Sequence, residues 1–147
     1  MVLVASSGGH LAHLLWLAAW WRGMERLWVT FQTPDAVEAL AGERVVWAPH
    51  PTNRNIKNLI RNGLLAMRTL TRWTPDVVVS TGAGVAVPWL AAGRAVGAGT
   101  VFLEVMDRVR EPSWSARLVA PWVDEIVVPT EVSRARLGRG RVLGPIR

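Results

Sequence analysis

The sequence predicts one doubly wound α/β domain built on a mainly parallel sheet. Three observations predict it: short runs rich in Val, Ile and Leu recur along the chain, helix-length stretches separate them, and the runs are continuously apolar rather than alternating. A strand covered by helices on both faces must be apolar on both, whereas a strand with one wet face alternates. Strands that alternate with helices and run parallel need crossover connections, which are right-handed by default. A length of 147 residues suits one such domain, residues 1–147, with no repeat or linker visible.

Each element has its own justification. Val2-Leu3-Val4-Ala5 is the first strand, and a helix is expected over 10–22. Leu27-Trp28-Val29-Thr30-Phe31 is the second strand. Thr33 then stands as N-cap of a helix over 34–41, with Pro34 and Asp35 in the first turn and Gly42 as the stop. Arg44-Val45-Val46-Trp47-Ala48 precedes the longest helix, 55–73, which Asn53 or Asn55 would cap. Asp76-Val77-Val78-Val79-Ser80 leads into a helix over 85–97, where Pro88 falls in the first turn and its missing N–H does little harm. Thr100-Val101-Phe102-Leu103-Glu104 precedes a helix over 115–121, and Glu125-Ile126-Val127-Val128 one over 130–138. Arg141-Val142-Leu143 is the last strand run.

Composition removes several classes. Half of the chain is hydrophobic and there is no Cys, which excludes a disordered chain, a disulfide scaffold, a thiolate metal site and a Cys nucleophile. Lys+Arg number 17 against 11 Asp+Glu, and Lys57 is the single lysine. A GC-rich codon usage produces such an arginine bias as readily as a binding surface does. Two uncharged stretches, 1–21 and 77–93, are long enough to be tested as membrane spans. The first is broken by Ser6-Ser7-Gly8-Gly9-His10 and the second by Thr81-Gly82-Ala83-Gly84 and Pro88, whereas a spanning helix needs about 20 continuous apolar residues. No basic segment precedes an apolar core as in a secretory signal. A soluble or peripheral protein of bacterial cytoplasmic character is expected. The charge would fit nucleic acid, but no motif or basic-aromatic strand pattern accompanies it, so no nucleic-acid partner is expected.

Ligands of such sheets bind outside the carboxyl ends of the strands, which nominates the loops 6–10, 31–34, 49–55, 80–84 and 104–114. In the first, Gly8 and Gly9 let the backbone turn tightly, and the following helix offers free N–H groups and a positive dipole end suited to phosphate. Ser7 and His10 flank that position; a simple tight turn is the alternative. Thr81-Gly82-Ala83-Gly84 repeats the arrangement after the fourth strand. Neither loop is a Walker loop, and neither has the spacing of a dinucleotide fingerprint, so nicotinamide is disfavoured and no cofactor is expected. Glu104 closes an apolar strand, where a carboxylate needs a partner, and can accept from a sugar hydroxyl or move a proton. Arg108 can pair with phosphate, and Ser113 ends the same loop. Arg54 precedes the long helix, whose Lys57, Arg61, Arg68 and Arg72 have no acidic neighbour on it. That helix reads either as packed on the sheet with a basic outer face, or as lying against anionic lipid headgroups. Nucleophilic triads find no Gly-x-Ser-x-Gly, and His10, His13 and His50 do not make a zinc site.

Ser6-Ser7-Gly8-Gly9-His10-Leu11, Asn53-Arg54 before a long helix, the run 75–88, and Glu104 with Arg108 and Pro112-Ser113 occur in that order. The set resembles the asparagine-linked glycosylation fourteen family, whose bacterial members are PssD-like polysaccharide-biosynthesis proteins. It also looks like the amino-terminal, acceptor-binding half of MurG-type GT-B glycosyltransferases, a single Rossmann-like domain. The resemblance implies β-linked transfer from a UDP-sugar, UDP-N-acetylglucosamine foremost, to a polyprenyl-diphosphate-linked acceptor at a membrane surface. It implies a separate donor-binding glycosyltransferase subunit as partner. It implies that Ser7, Gly8, Gly9 and His10 hold the acceptor diphosphate or face the reacting hydroxyl, that Gly82, Ala83 and Gly84 flank it, and that Glu104 and Arg108 complete the cleft. His10 is then the expected base, with Glu104 second. The chain departs from the family where an acidic, Gln-Trp-containing strand segment is common, having Ile126-Val127-Val128-Pro129-Thr130 there.

Overall fold

A computed structural model describes residues 1–106 and 108–142. Asp107, in the loop after the fifth predicted strand, and Leu143, at the end of the last, lie outside the described residues.

In chain order the elements are β1 Val2–Ala5, α1 Gly9–Trp16, α2 Ala18–Trp21, β2 Leu27–Thr30, α3 Pro34–Ala39, β3 Val45–Trp47 and α4 Ile56–Trp73. They continue with β4 Val77–Gly82, α5 Ala86–Ala95, β5 Gly99–Leu103, α6 Trp114–Val119, β6 Glu125–Val128, α7 Glu131–Leu137 and β7 Arg141–Val142. Among the described residues the strands form one parallel sheet in the order β3-β2-β1-β4-β5-β6-β7. The doubly wound fold class is therefore the observed one.

Strand order decides which face each helix covers. From β1 the chain steps outward to β2 and β3, then returns past β1 and steps the other way from β4 to β7. With right-handed crossovers, reversing the direction of travel moves the connecting helices to the opposite face. The core divides accordingly. Leu3, Ala5, Trp28 and Val79 pack with Leu11, Leu14, Trp21 and Ala36 of the early helices. Val2, Val4, Val78, Phe102 and Ile126 pack with Leu70, Trp89, Leu90 and Val119 of the later ones. Central strands β1, β2 and β4 are thus buried on both faces, as their continuous apolar runs require.

Beyond β4 the expectation of two covered faces fails. Phe102, Ile126 and Val128 are buried, but Val101, Leu103 and Val127 are half-exposed and Glu125 is exposed. Val101 and Leu103 reach the margin of the early-helix cluster, so that face of β5 is only partly covered, while α5 to α7 lie against the other face.

Two local departures have visible causes. The helix expected over 10–22 is divided at Leu17, where the indole N–H of Trp21 donates to the Leu14 carbonyl at 2.6 Å. The same carbonyl also accepts from the Leu17 N–H at 3.2 Å, a tighter three-residue turn at the break. The second departure is α4, whose buried side is formed by Asn58, Asn62, Ala66 and Leu70. Ile56, Ile60, Leu64 and Met67, spaced one turn apart, are exposed.

Candidate active site

β1 and β4 are neighbours whose connections leave in opposite directions, so a crevice opens between them at their carboxyl ends. His10 stands there in the first turn of α1, after Gly8 turns the chain with φ +73°. On the facing strand the register slips: Val4 pairs with Ser80 but Ala5 with Gly82, leaving Thr81 as an extra residue. A bulge frees a residue's polar groups from the ladder and re-aims them. Here both go to His10. The Thr81 carbonyl oxygen lies 2.8 Å from His10 Nδ1, and the Thr81 hydroxyl donates to the His10 carbonyl at 2.7 Å.

This clasp fixes the imidazole. A carbonyl only accepts, so Nδ1 carries the hydrogen and Nε2 of the neutral ring keeps the lone pair. Gly82 makes room for the ring: its φ is +114°, and a Cβ there would lie 3.3 Å from His10 Cε1 and from Phe102 Cζ.

The loop before α4 supplies one wall. Asn55 caps the helix, accepting from the Asn58 N–H at 2.9 Å; Asn53 does not serve as the cap. The buried side chain of Asn58 donates to the Pro51 carbonyl at 2.9 Å, and that of Asn62 to the Pro49 carbonyl at 2.8 Å. Asn62 also accepts from the Trp89 indole at 3.3 Å. These amides are buried because they tie the loop down; leaving one partner unpaired would cost about 1–3 kcal/mol. Thr52 is pressed against the β4–α5 loop so closely that a Cβ on Gly84 would lie 2.9 Å from its Oγ1. Arg54 has φ +53° and Ala83 φ +62°, so left-handed non-glycine backbone collects around this crevice, as it does at functional sites.

The loop after β5 forms the other wall. Glu104 is 6% exposed; its Oε2 accepts from the Ser113 N–H at 2.8 Å, while its buried Oε1 has no hydrogen-bond partner. Burial pushes its carboxyl above the ordinary value, against the lowering by Ser113 and the Arg108 charge. Ser113 caps α6, accepting from the Ala116 N–H at 3.1 Å. Arg108 and Val109 are held through their carbonyls by the hydroxyls of Ser133 and Thr130 at 2.9 and 2.7 Å.

Together these walls enclose a cavity of about 640 Å³ lined by His10, Asn53, Arg54, Ala83, Arg108, Ser113, Trp114 and Ser115. A second, of about 360 Å³, is lined by Ser6, Ser7, Phe31, His50, Pro51 and Thr52, and shares His10, Asn53 and Ala83 with the first. Of the residues the sequence singled out, Ser7, His10, Arg54, Ala83, Arg108 and Ser113 thus line these cavities. Thr81, Gly82 and Gly84 stand behind the lining, against His10 and Thr52. Glu104 is also buried, bracing Ser113. Gly8 and Gly9 are exposed at the start of α1, and the Gly8 N–H donates to Asp35 at 3.3 Å. The Asp35 carboxyl is lowered, first by the Thr33 hydroxyl and also by this N–H.

Phe31, His50 and Trp114 were not among the residues singled out for the site. All three nevertheless lie in loops that the strand-end rule nominated, 31–34, 49–55 and 104–114. The chemistry available is an imidazole positioned through Nδ1, in a cavity that Arg54 and Arg108 also line and that adjoins one lined by serine and threonine.

No protein-family model matches the chain. Over 106 residues it is 34% identical to a UDP-N-acetylglucosamine–N-acetylmuramyl-(pentapeptide) pyrophosphoryl-undecaprenol N-acetylglucosamine transferase of Symbiobacterium thermophilum, covering 65% of this chain and 28% of that protein. The fold superposes on Acinetobacter baumannii MurG with a TM-score of 0.73 at 16% identity, covering 90% of this chain and 42% of that one. It also superposes on a UDP-N-acetylglucosamine 2-epimerase from Rickettsia bellii with a TM-score of 0.71 at 14% identity, covering 92% of this chain and 40% of that one. The chain spans less than half the length of each. At such identities the superpositions speak for the fold; the sequence similarity is to a MurG-type transferase.

Proposed function

We propose that this chain is the acceptor-binding part of a two-component glycosyltransferase. In this reading it is a PssD-like member of the asparagine-linked glycosylation fourteen family. The donor, UDP-N-acetylglucosamine, is held by a separate donor-binding subunit, and the acceptor is a polyprenyl-diphosphate-linked saccharide. The single observation that carries the reading is His10, clasped through Nδ1 with Nε2 left over, beside Arg54 and Arg108. The sequence similarity to a transferase that joins N-acetylglucosamine to a pyrophosphoryl-undecaprenol acceptor supports the choice of donor and acceptor. The fold by itself is shared with epimerases, so the sequence similarity favours transfer.

The mechanism is an inverting displacement. Nε2 of His10 takes the proton of the acceptor hydroxyl as its oxygen bonds to the anomeric carbon, and the bond to UDP breaks with its electron pair on the leaving diphosphate. The imidazolium keeps its Nδ1–H on the Thr81 carbonyl, which steadies the new charge. Arg54 and Arg108 pair with the acceptor diphosphate. Glu104 positions Ser113 and the head of α6 rather than facing the reacting atoms.

The acceptor's lipid places the reaction at a bilayer. Among the described residues no helix is long and apolar enough to cross a membrane. The exposed apolar row of α4, flanked by Lys57, Arg61 and Arg68, supports peripheral contact with anionic lipid.

The test is reconstitution with a donor-half protein, UDP-N-acetylglucosamine and a lipid-diphosphate saccharide. Transfer is expected only with both chains present, and His10→Ala should lower turnover by about 10²–10⁴-fold. Near-parental turnover in that variant would sink His10 as base and leave a recruiting role for the chain. Transfer by the donor half alone would end the two-component reading.

A further inference from the structure

The crevice has two chemically different sides. The larger cavity carries Arg54 and Arg108. Among the described residues lining the smaller one, none is an Asp, Glu, Lys or Arg. It offers the Ser6, Ser7 and Thr52 hydroxyls, the Asn53 amide and the ring of Phe31, whose centroid lies 5.1 Å from that of His50 at an interplanar angle of 34°.

We infer that the smaller cavity receives the neutral sugar ring of the acceptor while the larger one holds its diphosphate. This rests on the acceptor-binding reading above and deepens it. A diphosphate in the smaller cavity would lose water without meeting a fixed cation, whereas in the larger it meets two guanidinium groups. A pyranose presents a C–H face and a rim of hydroxyls. The π face of Phe31 suits the first, since an aromatic face is the negative end of its quadrupole, and the hydroxyls and amide suit the second. The sugar and diphosphate are covalent neighbours, so their sites must be contiguous, and these share His10, Asn53 and Ala83. His10 lines both. A sugar in the smaller cavity therefore shares it with the imidazole whose Nδ1 is held by Thr81.

Two probes separate the sides by NMR titration of the whole chain: inorganic pyrophosphate, and a panel of methyl glycosides of glucose, galactose and N-acetylglucosamine. Pyrophosphate should move the Arg54 and Arg108 side-chain signals first, and at least one glycoside those of Phe31 and His50. Phe31→Leu keeps the apolar volume but removes the flat face; it should weaken glycoside binding at least tenfold and leave pyrophosphate binding unchanged, which also certifies the fold. Arg54→Ala with Arg108→Ala should do the reverse. Pyrophosphate binding at the arginines with every glycoside absent, or indifferent to Phe31→Leu, would overturn the sugar assignment alone. Failure of both probes to reach the crevice would overturn the assignment together with the acceptor-binding reading.

Discussion

His10 owes its orientation to one displaced residue on the neighbouring strand. Because the Thr81 carbonyl accepts from Nδ1, the neutral ring should carry its hydrogen there. Long-range ¹H–¹⁵N spectra of histidine-labelled protein should show His10 as the Nδ1–H form; a predominant Nε2–H form would contradict the clasp and remove the base. Glu104 makes a second residue-scale prediction. Its carboxyl titrates above the ordinary value of 4.5 because burial penalises the charge. The folded chain then holds that proton more tightly than the unfolded chain, so stability falls as pH rises from about 4.5 through the raised value. Glu104→Gln keeps an oxygen for the Ser113 N–H and removes the titration. Urea unfolding should show the variant gaining on the parent as pH rises through that window, and a difference independent of pH would refute the assignment.

At the scale of elements, α4 is the instructive case. Its buried side uses Asn58 and Asn62, whose amides tie down the loop carrying Arg54, and its apolar row faces outward beside a basic row. Periodicity locates an amphipathic helix but does not say which stripe meets the sheet. The usual assumption gives the apolar stripe to the core, and here that is reversed for Ile56, Ile60, Leu64 and Met67. Because these four are exposed, replacing Ile60 and Leu64 with Ser should leave thermal stability nearly unchanged. If the row meets lipid, the same change should sharply reduce sedimentation with anionic vesicles, and raised salt should weaken binding by the parent chain. Binding indifferent to both would refute the lipid contact.

For the molecule as a whole, direction of travel across the sheet does most of the organising. One reversal at β1 and β4 puts the early and late helices on opposite faces, opens the crevice between those strands, and leaves one face of β5 only partly covered. The strands, their parallel pairing and the loops at their carboxyl ends were determined by the sequence alone. Apolar runs and glycine-rich turns are local signals, and they suffice to place Ser7, His10, Arg54, Ala83, Arg108 and Ser113 at one edge of the sheet. Only the tertiary structure decided the slip that aims Thr81 at His10, the burial of Glu104 behind Ser113, the approach of Phe31 to His50 and the outward face of α4. Each depends on which atoms a neighbouring element brings within a few ångströms, and that is a property of packing, not of spacing along the chain.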